Sequence, residues 1–245
     1  MTMNSSRRQR ALVQRKDQYD GQAADPLGIE VIAGIAHDLR SPLATITTSA
    51  ELLEQEVDSI TSSHLINVIQ RQVLRLQLMI QDLSEYAGFE SGKVLLHPRT
   101  VDLAKLVEET CADLQEFDAS HNLVFQIPAT AVRISADHDK LSRILENLLR
   151  NAFKYSPPGT TVMARLRTKP GEAIIEIEDE GPGVPEEYRE RIFDPFVRLE
   201  NSRNVGQGLG LHVVKLLAEA HGGKVWVEST KSGSACFCVR LPLQA

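Results

Sequence analysis

Apolar residues recur every three or four positions through two successive stretches of the chain, and this repeat limits what its first third can fold into. Ile32, Ile35, Leu39, Leu43, Ile46, Ala50, Leu53 and Val57 form one stripe. Leu65, Ile69, Val73, Leu76, Ile80 and Leu83 form another. Alternating steps of three and four are the seam of helices lying nearly parallel, as in a coiled coil or bundle. Between the stripes, Asp58-Ser59-Ile60-Thr61-Ser62-Ser63 supplies turn and N-cap residues, so the helices are expected to fold back as a hairpin. A lone hairpin cannot bury both stripes well. Pairing with a second copy into a four-helix bundle can, and a homodimer is expected.

His37 and Asp38 sit inside the first stripe, in the run Ile35-Ala36-His37-Asp38-Leu39-Arg40-Ser41-Pro42. A histidine beside a carboxylate can be a nucleophile with its own proton acceptor. His37 falls two residues after Ile35 and two before Leu39, off the seam, so its ring is expected to point outward. Pro42 removes a backbone hydrogen bond from the helix, and a bend just after His37 is expected.

Beyond Gly88–Gly92, expected to break the second helix, the texture is mixed α/β. Leu103 to Phe117 reads as a helix begun by Asp102, Leu123 to Ile127 and Val132 to Ser135 as strands, and Leu141 to Phe153 as a helix capped near Asp137. Val162 to Arg167 and Ala173 to Glu178 read as a hairpin across Lys169-Pro170-Gly171. A helix from Gly208 to Ala220 and strands Lys224 to Glu228 and Ala235 to Leu241 close the chain. At 245 residues, with 42% hydrophobic and 24% charged, there is room for two globular domains. The expected division is a polar tail or linker at 1–27, the helical hairpin at 28–90 and an α/β domain at 91–245.

A net charge of −6 gives no broad positive field, and 5% aromatic residues suggest no stacking surface, so no nucleic-acid partner is expected. Neither an apolar run long enough to span a membrane nor the apolar core of a signal peptide is present, so a cytoplasmic chain is expected, or the cytoplasmic part of a longer membrane sensor. Cys236 and Cys238 alternate on a strand and share a face, which fits core packing better than metal binding. His64, His97, His121, His138, His212 and His221 have no ligand spacing.

Three clusters in the second domain suit a phosphate ester. Asn147 and Asn151 share a helix face with Lys154 beside them; amide oxygens are hard ligands suited to Mg²⁺, and the ammonium offsets phosphate charge. Asp179-Glu180-Gly181-Pro182-Gly183 puts a carboxylate at a strand end, where it can accept from an exocyclic amine, with glycines that let a flat base approach. Gly206-Gln207-Gly208-Leu209-Gly210-Leu211 opens a helix and offers backbone N–H groups to an anion. It follows a polar loop rather than a strand, which excludes the dinucleotide fingerprint. Between the last two, Phe193 and Phe196 could anchor a lid that continues through Arg198 and Arg203.

These clusters, in this order behind an H-[DE]-x-R-x-P helix, resemble the catalytic core of bacterial two-component sensor histidine kinases. His37 to Pro42 is similar to the H box, Asn147 to Tyr155 to the N box, Asp179 to Gly183 to the G1 box, Ile192 to Phe196 to the F box, and Gly206 to Leu211 to the G2 box. The similarity covers roughly residues 28 to 243. It implies an α+β protein: a HisKA-type hairpin forming a dimeric four-helix bundle, followed by an α/β sandwich ATP-binding domain of the Bergerat type. By the same resemblance ATP and Mg²⁺ are the cofactors, Asn151 ligates the metal, Asn147 and Lys154 face the phosphates, and Tyr155 lies near the nucleotide. Asp179 reads adenine beside Gly181 and Gly183, and Gly206, Gly208, Leu209 and Gly210 embrace the triphosphate, with Phe193, Phe196 and Arg203 in the lid. His37 attacks the terminal phosphate with Asp38 as its base, and the phosphoryl group passes to an aspartate of a separate response regulator. Ser41 stands where the family usually has Thr or Asn to place water for receiver dephosphorylation; a hydroxyl remains. A gyrase- or Hsp90-like ATPase carries Glu at the position of Asn147, and an amide cannot act as a general base. A silent scaffold would show damaged Asn or Gly boxes, and none is visible.

Overall fold

The computed structural model of the chain describes residues 26–55, 58–92, 95–117, 120–199 and 208–243. Nearly all of the expected polar tail therefore lies outside the described residues. Two long helices come first, α1 (Pro26–Leu53) and α2 (Ser59–Glu90), packed as a helical hairpin. The Asp58 carboxylate begins α2 by accepting from the backbone N–H groups of Ile60 and Thr61, donors that a helix start otherwise leaves unpaired. The Thr61 hydroxyl and these backbone donors hold its carboxyl below the usual carboxylate range. The expected break falls within Gly88–Gly92, past Gly88 itself. One glycine costs a helix only about 1 kcal/mol relative to alanine, and α2 continues to Glu90 before turning at Gly92, where φ is +63°. Helix α1 likewise runs unbroken through a buried Pro42.

The hairpin by itself covers its apolar stripes only in part. Pro42, Ser49, Leu65 and Met79 are buried within the hairpin, but Leu43, Ala50, Val73 and Ile80 face solvent, Leu43 at 52% and Ile80 at 56% exposure. A three–four repeat contains two adjacent edges, and two helices can cover only one of them. On α2 the uncovered edge repeats every seven residues through Ile66, Val73 and Ile80.

The second unit runs β1 (Arg99–Asp102), α3 (Leu103–Phe117), β2 (Asn122–Gln126), β3 (Arg133–Ala136), α4 (His138–Tyr155), β4 (Thr161–Lys169), β5 (Glu172–Glu178), α5 (Gly210–Ala220), β6 (Lys224–Ser229) and β7 (Ala235–Pro242). Five strands form one sheet in the order β2-β4-β5-β7-β6, parallel only between β2 and β4. Strand β1, absent from the sequence reading, pairs antiparallel with β3 as a separate ribbon. Helices α3, α4 and α5 cover one face of the large sheet. Leu141, Ile144, Leu145, Leu148 and Leu149 of α4 are each at most 1% exposed in that core. The caps read from sequence are present. Asp102 accepts from the N–H groups of Ala104 and Val132, and Asp137 from those of Asp139 and Lys140.

The outer sheet face is polar, with Arg165 paired to Glu178 and Arg167 to Glu176. Cys236 and Cys238 lie on this face, their sulfurs 3.9 Å apart, rather than among the inner-face residues. Cys238 is nonetheless buried. Cys111 is the cysteine in the inner core, and burial pushes its thiol up to about 12. His221 accepts from the Asp137 N–H at 3.1 Å and reaches the Leu217 carbonyl at 2.7 Å, a structural tie between the start of α4 and the end of α5.

Candidate functional site

One side of α4 is apolar and locked into the sheet; the other carries Arg143, Asn147, Arg150, Asn151 and Lys154, at spacings that keep them on one face. That face meets α2. Lys140 Nζ donates to Glu85 at 3.0 Å, and Arg143, only 3% exposed, pairs with Asp82, lies 3.7 Å from Glu85 and reaches the Leu78 carbonyl at 3.5 Å. Burial pushes the Asp82 carboxyl up, outweighing the Arg143 charge that lowers it. Further along α2, the Tyr86 ring meets Phe196 edge-on and His212 at a tilt, each with centroids 5.7 Å apart.

Below these contacts the two units enclose a cavity of about 880 Å³, within the size range of small-molecule sites. Asn147, Arg150, Asn151, Lys154 and Tyr155 form one wall, Asp179, Pro182 and Gly183 a second, and Gly208, Leu209 and Gly210 a third. The hairpin supplies the fourth through Arg71, Leu74, Arg75, Leu78, Met79 and Asp82. Asp179 is 4% exposed and accepts from the Gly181 N–H at 2.8 Å; burial pushes its carboxyl above the ordinary range. Two glycines here are dictated by space. A Cβ on Gly181 would stand 2.8 Å from the Tyr155 carbonyl oxygen, and one on Gly183, where φ is +73°, 2.2 Å from that of Gly233. Gly208 (φ +71°) lies against the Phe196–Val197 backbone and accepts the Phe196 N–H at 3.1 Å.

The cavity is rich in unused donors. Asn147 Nδ2, Arg150 Nε and Arg75 Nη2 are buried and have no hydrogen-bond partner among the described residues. Burying such groups unpaired is costly, so a polar, anionic occupant suits this donor set. The described residues contain no cluster of three or more His, Cys, Asp or Glu that could hold a metal. A Mg²⁺ held by an amide oxygen and by phosphates and water fits that; a protein cage does not.

The sequence-derived residues divide into four groups. Asn147, Asn151, Lys154, Tyr155, Asp179, Gly183, Gly208, Leu209 and Gly210 all line the cavity, and Gly181 lies directly behind it. Lys154 Nζ contacts the Tyr155 hydroxyl at 3.1 Å and lies over its ring. His37, Asp38 and Ser41 are on α1 and do not line the cavity. The His37 side chain is 80% exposed, as its phase off the seam predicts, with Nδ1 3.5 Å from Asp38 Oδ1. Ser41 is exposed one turn further on. Phe193 and Phe196 are corrected as cavity residues: Phe193 is buried edge-on to Phe237 in the core, and Phe196 packs on Tyr86 of the hairpin. Arg203 and Gly206 lie outside the described residues. Arg71, Arg75, Arg150 and Asp82 were not anticipated. Arg71, Arg75 and Asp82 read as a polar face of the hairpin and Arg150 as one of α4, and only the docking of the two units brings them together.

Comparison with known proteins assigns both units. Residues 29–92 match the His Kinase A (phospho-acceptor) domain, and residues 136–245 match the histidine kinase-, DNA gyrase B- and HSP90-like ATPase family. The chain belongs to the histidine kinase family. This kinase core is 33% identical over 214 residues to the adaptive-response sensory kinase SasA of Prochlorococcus marinus, covering 85% of the chain and 55% of that protein. It is 31% identical over 226 residues to the probable sensor histidine kinase TcrY of Mycobacterium tuberculosis, covering 91% of the chain and 47% of TcrY. It thus spans about half the length of these relatives. Among solved structures, full-length ShkA in complex with AMPPNP is similar at a TM-score of 0.64 and 25% identity, over 88% of the chain and 46% of ShkA. ThkA in complex with response regulator protein TrrA shares the fold of the kinase core at a TM-score of 0.68 and 24% identity, over 94% of the chain and 66% of ThkA.

Proposed function

We propose that this core is an ATP-dependent protein-histidine kinase that phosphorylates itself on His37 and passes the phosphoryl group to an aspartate of a separate response-regulator receiver domain. One observation carries the reading: the wall of the 880 Å³ cavity is shared between the Asn147–Tyr155 face and the hairpin that bears His37. Asn151 would hold Mg²⁺ through its amide oxygen, and the metal would supply charge neutralisation for the phosphates. Asn147, Arg150 and Lys154 hold phosphate oxygens by their N–H groups, and Asp179 accepts from the adenine amine. With its Nδ1 proton directed at Asp38, His37 keeps the Nε2 lone pair free. Nε2 forms the N–P bond to the terminal phosphorus, the P–O bond to the leaving diphosphate breaks with its electron pair going to ADP, and the Nδ1 proton passes to Asp38. The exposed ring is open to a second protein for the onward transfer. Incubation with γ-labelled ATP and Mg²⁺ is expected to give acid-labile, alkali-stable label; protein that binds ATP yet takes up no label would refute the proposal.

Asp179 gives the site an acid limit. Its folded value lies above the unfolded one of 3.8, so folding favours the protonated acid; the stability this contributes is full below 3.8 and is lost as the pH rises from there through the raised value. Adenine recognition needs the opposite, charged form. Nucleotide affinity should therefore fall with acidification at a pH above the ordinary carboxylate range. Titration calorimetry across pH checks this; in Asp179→Asn, affinity should be weak and that pH component gone.

The exposed edge of Ile66, Val73 and Ile80 supports a homodimeric four-helix bundle, in which a second hairpin covers it. Ile80→Glu should sediment as a monomer where the unmodified chain sediments as a dimer. Among the described residues no helix is long and apolar enough to cross a membrane.

A further inference from the structure

The hairpin wall of the cavity carries the cations Arg71 and Arg75, and the α4 wall carries Arg150 and Lys154. The pairs Glu85–Lys140 and Asp82–Arg143, with Arg143 also on the Leu78 carbonyl, show α2 running antiparallel to α4, one step back for each step forward. Continuing that register brings Arg75 level with Arg150 and Arg71 level with Lys154, and all four line the cavity. The acids on this surface pair first with other cations: Asp82, Glu85 and Glu146 all lie on Arg143, and Glu85 also holds Lys140, while Glu146 and Asp82 reach Arg150 by charge alone, without an ion pair among the described residues. Arg75 Nη2 and Arg150 Nε remain buried without a partner among the described residues. Guanidinium groups with unused donors on two walls of one cavity suit an anion bound between them.

Arg75 also stands at a particular height on the hairpin. His37 lies sixteen residues before the end of α1 at Leu53, and Arg75 sixteen residues after the start of α2 at Ser59. At about 1.5 Å per residue both are roughly 24 Å from the turn, so the two residues share one level of the bundle.

We propose that Arg75 is a catalytic residue supplied by the hairpin, its guanidinium holding the terminal phosphate of the nucleotide opposite Arg150 at the level of His37. The proposal rests on the kinase reading above and assigns that site a part outside the ATP-binding domain. During transfer the terminal phosphoryl oxygens carry the charge that Arg75 offsets, while the N–P bond forms at His37 and the P–O bond to ADP breaks. The nucleotide thereby joins the two units, since its last phosphate is gripped from both sides.

The test compares Arg75→Gln and Arg75→Lys with the unmodified chain in two measurements: calorimetric affinities for ATP and ADP, and the single-turnover labelling rate at saturating γ-labelled ATP with Mg²⁺. Arg75→Gln is expected to keep its ADP affinity, lose about tenfold in preference for ATP over ADP, and lose roughly 10²-fold in rate; Arg75→Lys should recover part of both. An unchanged preference for ATP over ADP overturns the proposal. So does an equal loss for both nucleotides with a lowered melting temperature, which marks a packing role. Because the affinity ratio needs no turnover, it judges Arg75 even if the unmodified chain takes up no label, an outcome that refutes the kinase reading instead.

Discussion

His37→Gln is expected to take up no phosphoryl label while binding ATP as the unmodified chain does. The two properties separate because the residue and the cavity are on different elements: His37 is on α1 and 80% exposed, whereas the hairpin's share of the cavity wall comes from α2. Glutamine keeps the polarity and most of the volume but has no nucleophilic lone pair at neutral pH, so the loss should be roughly 10⁴-fold or greater. Fold stability should move by no more than about 0.5 kcal/mol, as for other exposed positions. The checks are acid-labile label after single turnover, nucleotide titration and thermal melting on the same preparation. Residual label at the normal level would assign the phosphoacceptor to another residue.

Arg143→Ala should loosen the ATP-binding unit from the hairpin. Arg143 is 3% exposed between Asp82 and Glu85 of α2, whose own side chains are 17% and 10% exposed. Removing the guanidinium leaves the Asp82 carboxylate without its ion-pair partner and Glu85 with Lys140 alone, a change that costs about 3–5 kcal/mol when it breaks a buried pair. Much of that cost is relieved if the units separate and the acids reach water. The expected signs are faster amide exchange along Leu78–Glu85, a larger radius of gyration and slower labelling, since the docked arrangement sets the cavity against the hairpin. Asp82→Ala added to Arg143→Ala should restore part of the loss, because it removes the stranded charge. Unchanged exchange on α2 would show that Tyr86 with Phe196 and His212 suffices to hold the units together.

The sequence exposed those parts of the fold whose causes are local. The Asp58, Asp102 and Asp137 caps, the turn at Lys169-Pro170-Gly171 and the period of α4 each follow from a few neighbouring residues. Strand β1 was invisible because Arg-Thr-Val-Asp has one apolar position and forms a strand only where β3 lies beside it. The hairpin stripe was legible as helix but not as two edges, since burial depends on how many helices assemble. Within the site, the Asn147 face and the Asp179 and Gly210 clusters were legible from residue type and spacing. Phe193 and Phe196 were read from their place between two cavity motifs, yet one ring is claimed by the sheet core and the other by Tyr86. Arg75 and Asp82 carried no sequence signal because their neighbours are set by the contact of α2 with α4, sixty or more residues away in the chain.

The uncovered edge at Ile66, Val73 and Ile80 has a consequence for where the enzyme's stability comes from. The sheet domain closes its core within one chain, but the helices under His37 do not, so on the proposed pairing of two hairpins their share obeys mass action. Each tenfold rise in protein concentration should add up to about 1.4 kcal/mol to the hairpin's unfolding free energy and raise its melting temperature, leaving that of the sheet domain in place. On dilution, the scaffold of the phosphoacceptor would fail first, while the ATP site beside it remained folded.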